Sequence, residues 1–356
     1  MNTQVWVGTK KGAFALSTKD RVDWELQGPF LPQDEVHHIA QDPRDPARFY
    51  AAAGSAWFGP HLKASVDGGR TWELSEKGLT MEGIEGATLA RIWHIAPGAE
   101  DEPGVVYLGA DPGAFFRSDD WGANWRRCDG LTQHPTRAQW SPGGGGMMVH
   151  SIQPLGKGRV IAGVSAAGAF RSNDGGESWE PFNQGVLADF RLDKFPEVGQ
   201  CVHKLKAHPT RRDDLYQQNH CGVYRAGYED TAWTDISGGL PSRFGFCLAV
   251  PAAEERTLFT VPIFGAERRY VPDGRLRVAR SRDGGDTWEL LSEGLPQSDA
   301  YVLVLREAMS SDDSDPAGIY FGTSTGTVFY SRDAGDHWQV LAQYLPPVFS
   351  VSVAKN

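Results

Sequence analysis

Cysteine is scarce: Cys128, Cys201, Cys221 and Cys247 are the four in 356 residues. That is too few for a disulfide framework, and a cytoplasmic protein with reduced thiols is expected. No apolar run is long enough to cross a bilayer, so no membrane partner is expected. Basic charge is in deficit, with 35 Lys and Arg against 45 Asp and Glu and a net charge of −10. No basic stripe survives that balance, which argues against nucleic acid as a partner. The N-terminal stretch MNTQVWV has no basic segment followed by an apolar one and reads directly as a strand, so no secretory leader is expected. What the chain does have is 42 glycines and 12 tryptophans, a composition of many turns and few helices.

The tryptophans sit in a repeat. The pattern Ser-x-Asp-x-Gly-x-(Thr/Ser)-Trp occurs at Ser65–Trp72, Ser172–Trp179 and Ser281–Trp288, and with one altered position at Ser118–Trp125 and Ser331–Trp338. Two eroded copies end at Trp24 and Trp233. Seven units of about fifty residues account for the whole length and predict a single domain over 1–356. Each position has a physical role. The aspartate accepts hydrogen bonds from the N–H groups of a tight turn, the glycine supplies φ > 0, and the tryptophan buries a large ring between sheets.

Four short strands surround each copy. In the second unit Val36–Ala40, Phe49–Ala53, Leu62–Ser65 and Thr71–Leu74 read as strands A to D. Four strands per period make a propeller blade. The N-terminus offers only B (Val5–Gly8), C (Ala13–Ser17) and D (Trp24–Leu26), and the C-terminus a lone A-like strand, Val348–Val353. The fold class expected is therefore all-β, a seven-bladed β-propeller whose ring is closed by its two terminal strands within one blade.

These motifs resemble the Asp-box (BNR) repeats of sialidases, sortilin-like receptors, xyloglucan-specific endoglucanases and the photosystem II stability factor. Overall the chain is similar to bacterial BNR-repeat proteins described as glycosyl hydrolase or sialidase-like. Sialidases are six-bladed and carry an N-terminal Arg-Ile-Pro motif; none occurs here, so sialidase activity is not implied. The aspartates Asp67, Asp120, Asp174, Asp283 and Asp333 are read as structural, since alternation puts their turns on the face opposite the D–A and B–C loops.

Function is sought on that loop face. Its D–A connections are long over Glu76–Ala90, Asp129–Gly146 and Asn183–Gly199, and a pocket walled on one side of the channel is expected. The inner strands align as Val36-His37-His38-Ile39, Ile92-Trp93-His94-Ile95, Val149-His150-Ser151-Ile152 and Val202-His203-Lys204-Leu205, against Phe246-Cys247-Leu248 and Leu303-Val304-Leu305. Histidine recurs where other blades are apolar. One reading has these imidazoles bonding backbone groups at a crowded channel. The other has His38, His94, His150, His203 and His220 holding a divalent metal (Zn, Mn or Ca), or His94, His150 and His203 transferring protons beside Glu35 and Arg91. Alternation opposes a single five-histidine set, because His37, His150 and His203 share one phase and His38 and His94 the other. Some seven-bladed polysaccharide lyases, similar in placement only, hold a metal here through His and Gln.

Trp57, His61, Trp93, Trp140, Gln218 and Tyr301 are the candidate substrate contacts, and Glu35, Asp111, Glu197 and Asp299 the available carboxylates. Cys201 and Cys221 come almost opposite each other and are open to pairing, metal ligation or simple packing. Two functions compete. One is a hydrolase or lyase acting on a polar small molecule or oligosaccharide; the other is a non-catalytic propeller gripping a peptide or protein partner.

Overall fold

The repeat folds into seven antiparallel sheets arranged as blades about one channel, in a computed structural model that describes residues 3–355. Blade 2 runs Glu35–Asp42, Asp45–Ser55, Gly59–Ser65 and Glu73–Leu74 from the channel outward. Blades 3, 4 and 5 repeat the order, with inner strands Arg91–Pro97, Met148–Gly156 and Val202–Ala207. Blade 1 is composite. Val348–Lys355 pairs antiparallel with Thr3–Thr9, followed by Gly12–Thr18 and Glu25–Phe30. Among the described residues no helix is long and apolar enough to cross a membrane.

The turn aspartates do what their spacing implies. Asp174 accepts from Ser172 Oγ at 2.7 Å, Ser178 N at 3.0 Å and Ser178 Oγ at 2.5 Å. Asp67, Asp120, Asp283 and Asp333 repeat the pattern, with Asn124 and His337 replacing the hydroxyl donor in two of them. The tryptophan that follows closes the gap between blades. The Trp179 ring meets Phe115 of blade 3 edge-on at 5.0 Å, and Trp125 and Trp233 donate Nε1 to the preceding blade's Ser75 and Phe182 carbonyls. Burying one such ring is worth about 4–6 kcal/mol of transfer free energy.

Blades 6 and 7 depart from the expected boundaries. Blade 6 has three full strands, and its inner segment is held by bridges at Gly245–Pro262 and Ala249–Phe259. In blade 7 the inner strand is Met309–Ser311, reached through Arg306 and Glu307, and not Leu303–Leu305 as the aliphatic alignment predicts. The residue at the shared aliphatic position is Ala308, whose carbonyl accepts from Gly322 N at 2.9 Å.

A bulge recurs on the inner strands. Register slips by one at His37, Trp93, His150 and His203, and again at Phe349 in blade 1. The bulged residue therefore sits at the channel rim, and the next one, His38, His94, Ser151, Lys204 or Ser350, turns into the channel. Glu307 occupies the equivalent place in blade 7, bridging to Ser350.

Candidate functional site

Inner strands present one unpaired backbone edge to the channel, and those N–H and C=O groups need partners away from water. The recurring side chains supply them. His38 Nδ1 accepts from Ile95 N of the next blade at 3.2 Å, and Ser151 Oγ accepts from Leu205 N at 3.1 Å. His150 Nε2 donates to Val202 O at 2.8 Å, and His203 Nδ1 donates to Gly245 O at 2.6 Å. Each bond rivets one blade to its neighbour and fixes the tautomer. His37 instead stacks between Trp93 at 5.1 Å and Phe349 at 5.3 Å.

Below the rim lies a buried charge cluster. Lys204 Nζ reaches Glu307 Oε2 at 2.5 Å, His94 Nδ1 approaches Oε1 at 3.2 Å, and His38 Nε2 lies 3.7 Å from Oε2. The His38 and His94 rings stack at 4.4 Å. Burial pushes His38 and His94 down, Glu307 opposing the shift in both, while His94 adds to it at His38. Glu307 is held well below the usual carboxylate range; burial works against this, and Lys204 and the two histidines outweigh it. On the same strand Lys206 is lowered to about 8, by burial first and then by Lys204.

The five-histidine metal set therefore divides. His38 and His94 join Glu307; His203 and His220 join Cys201; His150 belongs to neither group. Each group brings three ligand-type atoms within 4.8 Å of one another, and each has positive neighbours that oppose a cation. In the first, the Lys204 ammonium already occupies the carboxylate. In the second, the thiol of Cys201 is pushed up by burial, and the Arg306 and Arg269 guanidiniums stand beside it. The guanidiniums favour the thiolate against burial but repel a cation. His94, His150 and His203 are all buried, His94 against Glu307 and the other two bonded to backbone carbonyls of the next blade.

The other expected residues separate cleanly. Trp140 is buried on the loop-side packing of blade 4, with its ring on Phe170 at 4.9 Å and Nε1 donating to Thr136, so it pins a loop and offers no ring face to a ligand. Gln218 is buried too, and its amide donates to three carbonyls, those of Asn219, Gly222 and Arg243. His61 lies against Asp34 at 3.1 Å in the side of a cleft shared with Phe58 and Lys63. Glu35 opens the inner strand of blade 2, and the Arg91 guanidinium covers Trp93 at 5.6 Å. Trp57 is 90% exposed and Tyr301 65% exposed on the loop face. All four cysteines are free and buried, and Cys221 Sγ donates to Asp189 Oδ1 at 3.1 Å.

A cleft of about 610 Å³ opens on the arc of blades 4 and 5, lined by Ser141, Gly143, Gly144, Phe190, Cys201 and His220 among others. Both of its walls come from the long D–A connections anticipated there. Sequence reasoning does not single out Glu307 and Lys204 of the buried cluster, nor Arg269 and Arg306 near Cys201. Lys204 shares the aligned column of His38 and His94; Glu307 and Arg306 were hidden by the misplaced inner strand.

No family model matches the chain. Among curated proteins it is similar to a xyloglucanase of a Paenibacillus species, 26% identical over 76% of this chain and 27% of that protein. It is also similar to an oligoxyloglucan-reducing end-specific xyloglucanase of Emericella nidulans, 26% identical over 72% of this chain and 34% of that protein. The chain thus spans about a third or less of the length of these relatives. Among solved structures, the GH74 xyloglucanase from Xanthomonas campestris superposes with a TM-score of 0.66 at 18% identity, over 96% of this chain and 52% of that one. YCF48 bound to D1 peptide superposes with a TM-score of 0.54 at 17% identity, over 85% and 83%. At these identities the structural likeness establishes the propeller, and the curated relatives are xyloglucanases.

Proposed function

We infer that the loop face binds an oligosaccharide and that the protein is a hydrolase of the glycosidase type. The observation that carries this reading is the set of aromatic rings left in water on that face: Trp57, Phe58, Phe190, Phe264 and Tyr301 are all exposed. Flat apolar faces ringed by polar groups suit sugar rings, and exposed apolar groups gathered on one face mark a binding surface. The similarity to xyloglucanases over three quarters of the chain supports the same reading.

Glycoside hydrolysis takes two carboxyl groups, one of them protonated near neutral pH. Asp111, at the end of the second strand of blade 3, is pushed up from the usual carboxylate range by burial, with Arg91 opposing the shift. It serves as the acid in this reading. The test is reducing-end release from xyloglucan oligosaccharides by wild type, Trp57→Ala and Asp111→Asn. Trp57→Ala should raise KM several-fold with little change in kcat. Asp111→Asn should lower kcat by about a hundredfold, the span of general acid catalysis. Binding without bond cleavage in wild type would leave a carbohydrate-binding propeller, and absence of binding would remove the reading.

A further inference from the structure

Arginine is unevenly paired in this molecule. Among the arginines with no carboxylate within 4.0 Å, three of the described ones, Arg191, Arg269 and Arg306, stand near one another in a chain of net charge −10. All three converge on one place. Arg306, at the channel rim of blade 7, lies over the Phe246 ring at 4.9 Å, and Arg269 from the long B–C loop of blade 6 lies over the same ring at 5.8 Å. Arg269 reaches across to the glycine loop of blade 4, where a Cβ on Gly144 would stand 3.1 Å from its Nη2. Arg191 borders the 610 Å³ cleft from the opposite wall.

Two like charges brought together on one ring repel each other unless an anion joins them. Arg306 sharpens the point: its Nε is buried and has no hydrogen-bond partner, an unmet donor beside the cleft. Of the neighbouring carboxylates, Glu307 acts on Arg306 electrostatically but is already held by Lys204. Asp189 takes the Cys221 thiol hydrogen, and Asp193, in the cleft lining, accepts from Phe195 N.

Resting on the oligosaccharide reading, we propose that the edge of this cleft, beside Cys201 and Gly144, is an anion subsite in which Arg306 and Arg269 receive the carboxylate of a uronate-bearing saccharide. A guanidinium fork matches the two coplanar oxygens of a carboxylate, and the Phe246 ring holds both forks in place. His220, at the foot of the cleft, is kept below its ordinary pKa by burial and is opposed there by Asp189, so it enters as a neutral hydrogen-bonding ring.

The experiment is calorimetric titration of the full chain with a tetrameric oligogalacturonate, a neutral xyloglucan oligosaccharide and inorganic phosphate. It is repeated on Arg269→Gln, Arg306→Gln and, as a neighbouring control, Arg268→Gln. The uronate should bind at least tenfold more tightly than the neutral sugar. Arg269→Gln, a change at an exposed position, should abolish that preference while leaving neutral-sugar binding and thermal stability intact, and Arg268→Gln should change neither. Equal affinity for the two saccharides, or an unaltered preference in Arg269→Gln, overturns the anion subsite but leaves the oligosaccharide reading standing. Phosphate bound as tightly as the uronate overturns the carboxylate assignment. If no saccharide binds at all, both readings fall together.

Discussion

Glu307 is a carboxylate held away from water by one ammonium and two imidazoles, so its removal has a definite consequence. Glu307→Gln strands the Lys204 ammonium, which is 1% exposed, without an anion. Breaking a buried pair in this way costs about 3–5 kcal/mol, whereas replacing both partners by apolar groups is often close to neutral. Urea denaturation should therefore show a large loss in Glu307→Gln and substantial recovery in Lys204→Met/Glu307→Met; a single variant as stable as wild type would dismiss the pairing. The histidines give a second prediction. Burial holds His37 down to about 4, and it holds His38, His94, His150 and His203 below the ordinary value of 6.5. The unfolded chain takes up these protons near pH 6.5 and the folded chain does not. Stability is thus fully present above pH 6.5 and is lost as the pH falls toward the folded values, at about 1.4 kcal/mol per pH unit for each group. The urea midpoint should drop between pH 7.5 and 5.5. His37→Phe, which keeps the stack with Trp93 and Phe349, should shrink that drop by one proton's worth. The histidines were legible in the sequence because the repeat lets one column be compared across blades. Glu307 was not, since Ala308 stands where other blades carry Ile or Leu, and the alignment fell on Leu305. Nor was the bulge, because no residue type at His37, Trp93, His150 or His203 demands it.

At the scale of the element, the turn between strands C and D is the unit that the chain repeats. An intact turn and an eroded one differ by a countable set of bonds. Asp174 accepts from Ser172, from Ser178 N and from Ser178 Oγ. In the eroded fifth blade Asp230 accepts from Gly227 N at 2.7 Å. Asp174→Ala should destabilise by about 1–2 kcal/mol, discounted because the turn faces solvent, and Asp230→Ala by clearly less. Thermal melts of the two variants at pH 7 decide it, and equal losses would mean that the turn bonds do not carry the difference. The same regularity is why the fold could be read so fully: serine, aspartate, glycine and tryptophan are each needed at a fixed offset, and the inner strand of blade 2 was placed to within two residues. Legibility ends where an element is defined by what it packs against. Tyr301–Leu305 has the aliphatic pattern of an inner strand, yet Val304 and Leu303 are used in loop packing, with Leu303 N bonded to Ser324 Oγ at 3.2 Å.

At the scale of the whole molecule the ring has one closure of a special kind. Six blades are continuous in sequence, whereas blade 1 takes its inner strand from Val348–Lys355 and the rest from Thr3–Phe30. The pairing runs from Thr3–Lys355 to Thr9–Val348, so opening the ring at this point means breaking a full strand ladder. Anywhere else two complete blades lose side-chain packing and isolated bonds such as that of Ile95 N to His38, but no strand ladder. Deleting residues 348–356 should therefore leave blade 1 with an open edge and abolish cooperative folding. A gentler test separates closure from composition. A circular permutant joins the paired ends by a short Gly/Ser linker and opens the chain between Glu85 and Gly86, both exposed in the connection from blade 2 to blade 3. It keeps every blade and every contact but makes each blade continuous. The ring of the permutant can then part between blades 2 and 3 without breaking a ladder. It should fold with near-native circular dichroism, yet unfold at least tenfold faster in urea than the parent chain. An unchanged unfolding rate would show that packing between blades, and not the shared sheet, is what keeps the propeller shut.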